Sequence, residues 1–156
     1  MRLHVLAIGQ RMPNWVESGW SEYQRRFPRG YSLELREIPA LRRNRNADIK
    51  SIRQKEGELI LAATGRDHIK IALDENGRQW TTSELSSQMK KWMQSGQNVD
   101  FLIGGPDGLS EPCLKAANKT WSLGLLTLPH PLVRVVLAEQ LYRAWSMTQN
   151  HPYHRE

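Results

Sequence analysis

Two loops punctuated by glycine and proline carry the first chemical signal, and both lie in the last third of the chain. One reads Leu102-Ile103-Gly104-Gly105-Pro106-Asp107-Gly108-Leu109-Ser110, the other Ser122-Leu123-Gly124-Leu125-Leu126-Thr127-Leu128-Pro129-His130-Pro131. Each follows an apolar run, and from Leu132 to Asn150 the pattern is that of an unusually apolar helix. Strand, tight loop and helix in succession is how α/β proteins offer backbone N–H and C=O groups to a nucleotide-like ligand at their strand ends. The first loop is not a P-loop, because no Lys-Ser/Thr follows the glycines, and Gly104, Gly105 and Gly108 are spaced wrongly for the dinucleotide fingerprint. Alone it reads as a tight turn before a helix capped by Ser110. The two loops together favour a small-molecule site.

Further candidates cluster on and after the last helix. Pro129 and Pro131 restrict the backbone on both sides of His130 and hold it just ahead of that helix, as a functional group or as its cap, with Pro131 suited to the first turn. Val133, Val136, Leu137, Leu141, Ala144 and Trp145 form one apolar stripe, and Leu132, Val135 and Tyr142 widen it, so the helix is either deeply buried or part of an oligomer interface. Glu139 and Arg143 are spaced for an i,i+4 ion pair. The closing Asn150-His151-Pro152-Tyr153-His154-Arg155-Glu156 brings stacking, proton transfer and phosphate contact into one short stretch. Only His151 and His154 would donate to a metal there, which is too few for a protein-made site, so no metal is expected.

These groups need a scaffold, and hydrophobic periodicity predicts one. Strands are expected over Arg2–Ile8, Tyr31–Ile38, His68–Leu73, Val99–Ile103 and Trp121–Leu128. Between them lie a helix capped by Asn14 and carrying Val16, Trp20 and Tyr23, a helix carrying Ile49, Ile52, Leu59 and Ile60, and a helix opened by the Thr81/Glu84 capping box. A short helix follows Ser110. Such alternation predicts an α/β fold with a mostly parallel sheet flanked by helices, in one domain spanning 1–156.

Composition narrows the partners. The formal charge is +6 and the sequence pI about 9.8, which favours a polyanion. Arg25, Arg26, Arg29, Arg36 and the loop Arg42-Arg43-Asn44-Arg45 crowd the first third, where loop arginines suit a phosphate backbone or form a solvated basic surface. The single cysteine, Cys113, excludes an internal disulfide framework. The opening apolar run is too short for a signal peptide, and no stretch reaches the length of a membrane span, so a cytoplasmic protein is expected.

Taken together, the loop Leu102–Gly108, the run Leu126-Thr127-Leu128-Pro129-His130-Pro131-Leu132-Val133-Arg134, the segment Glu139-Gln140-Leu141-Tyr142-Arg143-Ala144 and the tail Asn150–Glu156 resemble the bacterial RlmH family of ribosomal RNA large subunit methyltransferases, within the SPOUT superfamily. The likeness covers the chain, including Met12-Pro13-Asn14-Trp15 and Asn46-Ala47-Asp48-Ile49-Lys50. It implies a dimeric SPOUT-type α/β fold with a C-terminal trefoil knot. It also implies transfer of a methyl group from S-adenosyl-L-methionine to N3 of a pseudouridine in 23S rRNA of the ribosome. The implied cofactor residues are Leu73, Gly104, Leu123, Gly124, Leu125, Leu126, Thr127 and Leu128. Asp107 and Gly124 depart from residues expected in relatives, glutamate and a small polar residue respectively.

The catalytic set expected with that reading is His130, Glu139, Arg143, Tyr153, His154 and Arg155. His130, Glu139 and His154 are the candidate bases for the N3 proton. Arg134 and Arg143 would stabilise negative charge on the ring or a flanking phosphate, and Tyr153 would position the base. A rival reading, a non-catalytic RNA-binding protein, needs only the basic first third and leaves the two loops as turns. Saturable binding of S-adenosylmethionine separates the two.

Overall fold

The computed structural model describes residues 1–155. Its order is β1 (Arg2–Ile8), α1 (Asn14–Gln24), β2 (Ser32–Ile38), α2 (Ile49–Ala63), β3 (Ile69–Gln79), α3 (Thr82–Ser95), β4 (Val99–Ile103), α4 (Glu111–Ala116), β5 (Lys119–Ser122), α5 (His130–Thr148) and a 3-10 turn at Pro152–Arg155. The five strands form one parallel sheet in the order β2-β1-β4-β3-β5. Alternation within the strands sends side chains to two layers. Leu3, Val5 and Ala7 of β1 join Val99, Phe101 and Ile103 of β4 in a core with Trp20, Leu85, Met89, Trp92, Leu137, Leu141 and Trp145 from α1, α3 and α5. Leu6, Ile8 and Leu102 point the other way, to Ile60 of α2 and Cys113 of α4. Both faces are covered, as a parallel sheet requires.

Several elements differ from the sequence pattern for local reasons. The box at Thr81 forms as expected, with Thr81 Oγ1 accepting from Glu84 N at 3.1 Å and Glu84 Oε2 from Thr81 N at 2.8 Å. Asn14 is not a cap but the first residue of α1, because Pro13 takes the cap position and its carbonyl accepts from Val16 and Glu17. Ser110 holds the cap position of α4 without a side-chain capping bond. β5 ends at Ser122 rather than Leu128: Ser122 Oγ donates to the Gly124 carbonyl at 2.9 Å and turns the chain off the sheet edge. β3 continues past Leu73, with a register shift against β5 between Leu73 and Arg78 that extrudes the intervening residues. Gly77 lets the bulge rejoin, since a Cβ there would lie 2.7 Å from the Thr120 carbonyl carbon. α5 begins two residues earlier than the apolar pattern, with Pro131 in its first turn, and Asn150 in the left-handed region (φ 54°) turns the tail back.

At the N-terminal edge of the sheet the fold makes a polar cluster that no motif announces. Asp100 of β4 is buried, and its Oδ1 lies 2.9 Å from both His4 Nδ1 and His68 Nδ1. Its Oδ2 accepts from Gly65 N at 2.8 Å. The His68 tautomer follows from its neighbours. Asn98 Oδ1 accepts from Arg2 N, which turns its Nδ2 donor toward His68 Nε2 at 3.3 Å and leaves the His68 proton on Nδ1, facing Asp100. The group is therefore a satisfied hydrogen-bond cluster joining β1, β4 and the start of β3. Replacing Asp100 by alanine strands three donors, and we expect a loss of about 2–3 kcal/mol of stability, measured by chemical denaturation.

Candidate functional site

The C-terminal ends of the strands open into a cleft of about 610 Å³. Three segments wall it. The β3 bulge contributes Leu73, Asp74, Glu75 and Asn76, the turn after β4 contributes Gly104 to Leu109, and the loop after β5 contributes Leu123, Gly124, Leu126, Thr127 and Leu128. Ile103, Val133 and Trp121 supply the apolar floor, His130 lies at the rear wall, and Arg53 reaches in from α2.

The first turn is compact for a steric reason. Gly108 N donates to Gly105 O at 3.0 Å, closing a β-turn with Pro106 and Asp107 at its centre, the positions where a type I turn favours such residues. The turn folds back on Gly104 so closely that a Cβ would sit 2.5 Å from the Gly108 carbonyl carbon. Any side chain at 104 would displace this wall of the cleft. The second loop belongs to no helix or strand from Leu123 to Pro129: Gly124 N and O are held by Ser122 Oγ at 3.3 and 2.9 Å and the Pro129 carbonyl accepts from Leu132 and Val133, so the stretch between them runs outside any regular ladder. Leucines dominate it. Apolar walls beside irregular backbone fit an adenine and a thioether chain, while Asp74, Glu75 and Arg53 offer charge to amino-acid ends.

Of the cofactor residues expected from the sequence, Leu73, Gly104, Leu123, Gly124, Leu126, Thr127 and Leu128 line this cleft. Leu125 does not: it is 90% exposed and points to solvent at the loop tip, with Leu126 beside it 81% exposed. Arg53 and the bulge Asp74–Asn76 were not anticipated. Only the register shift in β3, which sequence periodicity does not encode, brings the bulge to the site.

The expected catalytic residues divide into two places. His130 lies at the cleft, its Nε2 buried without a partner among the described residues. Burial first, and the neighbouring Arg134 cation second, push its pKa down from 6.5 to about 4, so the imidazole is neutral at physiological pH. Arg134 is not free for substrate. It is 1% exposed, donating from Nη1 to Glu37 Oε2 at 2.6 Å and from Nη2 to the Gly9 carbonyl at 2.8 Å. Its role is structural: it ties the N-terminal part of α5 to the ends of β1 and β2.

Glu139 lies nine residues beyond His130 on the same helix, about 13 Å along its axis. Its Oε1 accepts from Arg143 Nε at 2.7 Å and Tyr153 Oη at 3.1 Å, and its Oε2 from Gln140 Nε2 at 2.7 Å. The Tyr153 ring packs edge-on against Tyr142 with centroids 4.8 Å apart, and the Arg26 and Arg143 guanidiniums lie 5.4 and 4.9 Å from its centroid. Burial, then hydrogen bonding to Tyr23 and the charge of Glu139, push the Tyr153 phenol well above its ordinary value, so it remains a neutral donor. His154 is half-buried with Nδ1 lacking a partner among the described residues, and Arg155 is exposed. Glu156 lies outside the described residues. Within one chain, the tail cluster and the cleft are separate.

Comparison with known proteins decides the family. A family model described as Predicted SPOUT methyltransferase matches residues 1–154. The chain belongs to this family. A solved structure similar to it is that of a probable methylase family protein from Haemophilus influenzae Rd KW20, with a TM-score of 0.55 and 12% identity over 97% of this chain and 68% of that one. At that identity the likeness concerns the fold. The parallel sheet flanked by helices is consistent with SPOUT membership, which implies methyl transfer dependent on S-adenosylmethionine. No helix among the described residues is long and apolar enough to cross a membrane.

Because the His130 pKa is lowered on folding, the unfolded chain takes up its proton first. Its contribution to stability is therefore complete above pH 6.5 and is lost as pH falls toward 4. We expect His130→Asn to flatten the stability profile in that window by up to about 3 kcal/mol relative to wild type, measured by urea titration at each pH.

Proposed function

We propose that this SPOUT methyltransferase transfers the methyl group of S-adenosylmethionine to N3 of a pseudouridine in 23S rRNA of the large ribosomal subunit, acting in the cytoplasm on the assembled ribosome. The observation that carries this reading is the division of the expected catalytic residues between a cleft suited to the donor and a tail suited to a nucleobase, with about 13 Å of helix between them. A homodimer in which the tail of one chain reaches the cleft of the other would unite the two. The exposed Leu125 and Leu126 at the cleft mouth, followed by half-buried Leu132, Val133, Val135 and Val136, support such an interface, since large exposed apolar groups in one region favour association. We carry the C-terminal trefoil knot as part of the same reading.

The donor supplies an already activated methyl group when bound, so the protein's work is alignment and proton management. Gly104, Leu123, Gly124 and the backbone from Leu126 to Leu128 would hold the donor. Neutral His130 would offer a lone pair in a dry environment, whereas Glu139, which accepts three hydrogen bonds, would anchor Arg143 and Tyr153. Arg143 and Arg155 would face the negative charge that develops as N3 loses its proton, and Tyr153 and His154 would position the base.

The RNA surface would include Arg42 and Arg45, which are exposed, but not Arg43, whose guanidinium is engaged with Glu56 and Asp107. A groove of about 660 Å³ between α2 and α4 carries Lys50 and Arg53, beside Lys115 paired to Glu111 at 3.0 Å, and meets the cleft at Arg53, which would offer phosphate contacts on the way to the site.

Mass mapping of rRNA from a deletion strain, and from the same strain expressing this chain, tests the reaction: one methyl group on a pseudouridine should disappear and return. Co-expression of Gly104→Val with His154→Ala tests the shared site. Each variant alone should lose methylation, and the mixture should regain a fraction because hybrid dimers keep one intact composite site. Independently, replacing Arg42 and Arg45 by serine should lower the salt slope of ribosome binding by about one to two.

A further inference from the structure

The Gly105–Gly108 turn is seated on an ion-pair network that reaches it from outside the cleft. Arg43 donates from Nε to Asp107 Oδ2 at 2.7 Å, and from Nη2 and Nη1 to the two carboxylate oxygens of Glu56 at 2.6 and 3.0 Å. The Glu56 side chain, on α2, is only 3% exposed, and its Oε2 also accepts from Leu41 N at 3.0 Å. Arg43 Nη1 donates to the Leu41 carbonyl at 3.1 Å as well. One guanidinium thus fastens the arginine loop to itself, to a buried carboxylate on a rigid helix, and to the centre of the cleft turn. A Cβ at Gly105 would lie 3.1 Å from Glu56 Oε1 and 3.2 Å from Arg43 Nη2, so the turn rests directly on the pair.

We propose that Arg43 is a positioning residue for the donor site: by bridging Glu56 and Asp107 it holds the Gly105–Gly108 turn in the shape that walls the cleft, and so sets the affinity for the donor without touching it. The inference rests on the cofactor reading of the cleft. Its physical basis is the fork geometry of arginine, which satisfies two carboxylates at fixed angles where a lysine ammonium reaches only one position well. Within the turn the backbone forms one internal bond, Gly108 N to Gly105 O, and an isolated bridge between the same two residues; among the described residues the hydrogen bond that links the Asp107 side chain to the body of the protein is the one from Arg43.

Two measurements on the full chain test this. The first is amide hydrogen exchange of residues 104–109 in the ligand-free protein. The second is the Kd for S-adenosylhomocysteine by calorimetry. The variants are Arg43→Lys, which leaves a cation for buried Glu56, Asp107→Ala, which removes only the turn side of the bridge, the double variant, and Asp107→Glu. We expect faster exchange across the turn and about tenfold weaker binding in each of the first two. The double variant should be no worse than about tenfold, because both changes break one bridge, and Asp107→Glu should stay within about threefold of wild type.

Unchanged exchange in both single variants overturns the proposal. So does a loosened turn with wild-type affinity. Multiplicative losses near a hundredfold in the double variant also overturn it, since Asp107 would then act on the donor independently of Arg43. If wild type itself does not bind S-adenosylhomocysteine, the cofactor reading fails. The exchange measurement still decides whether Arg43 holds the turn, and the claim about affinity falls with that reading.

Discussion

A buried guanidinium must be paired, and Arg134 is paired through Nη1 and Nη2, joining three elements that are distant in sequence. From the second turn of α5 it reaches Glu37 at the end of β2 and the Gly9 carbonyl just after β1. With 1% of its surface exposed, it leaves α5 little freedom to slide or rotate over the strand ends, because any displacement would strand a charge in an apolar interior. The position of His130, the path of the preceding loop and the rear wall of the cleft all follow from that anchor. The apolar length of α5 then packs against α1 and α3, with Leu137, Leu141 and Ala144 fully buried.

The cleft shows how a site can be made mainly from backbone. A β-turn after β4, a bulge in β3 and an irregular loop after β5 meet where the parallel strands end, each departing from the regular ladder. Glycine is needed where chain crosses chain: Gly104 under its own turn, Gly77 against β5. Charged side chains appear at the margins, and those closest to the turn, Arg43 and Glu56, serve its shape. The family's chemistry suits such a place, since an activated methyl donor asks chiefly for alignment and exclusion of water.

The parallel sheet and most of the helices were legible from periodicity because their apolar positions recur at intervals that only one backbone geometry can bury. Legibility failed where a side chain or a crossing strand, not the pattern, ended an element. Trp121 to Leu128 reads as a strand by composition, yet β3 offers partners only as far as Ser122, and leucines without a neighbouring strand become loop. The arginine cluster reads as uniform basic surface, but Arg43 faces Glu56 and Asp107, while Arg42 and Arg45 remain exposed. Arg134, named among the candidates for substrate charge, is instead the anchor of α5.

By itself the sequence determined the alternation of strands and helices, the two loops able to present backbone at strand ends, the helix start at Pro129-His130-Pro131 and the chemical content of the tail, because these depend on residue type and spacing over short distances. The tertiary structure decided which of those groups meet. It brought seven of the eight expected cofactor residues to one cleft, added the β3 bulge and Arg53, buried Arg134, and set the Glu139–Arg143–Tyr153 cluster about 13 Å along α5 from His130. Such meetings depend on strand order, register and the pairing of buried charge, which are properties of the packed chain that no local window of residues contains.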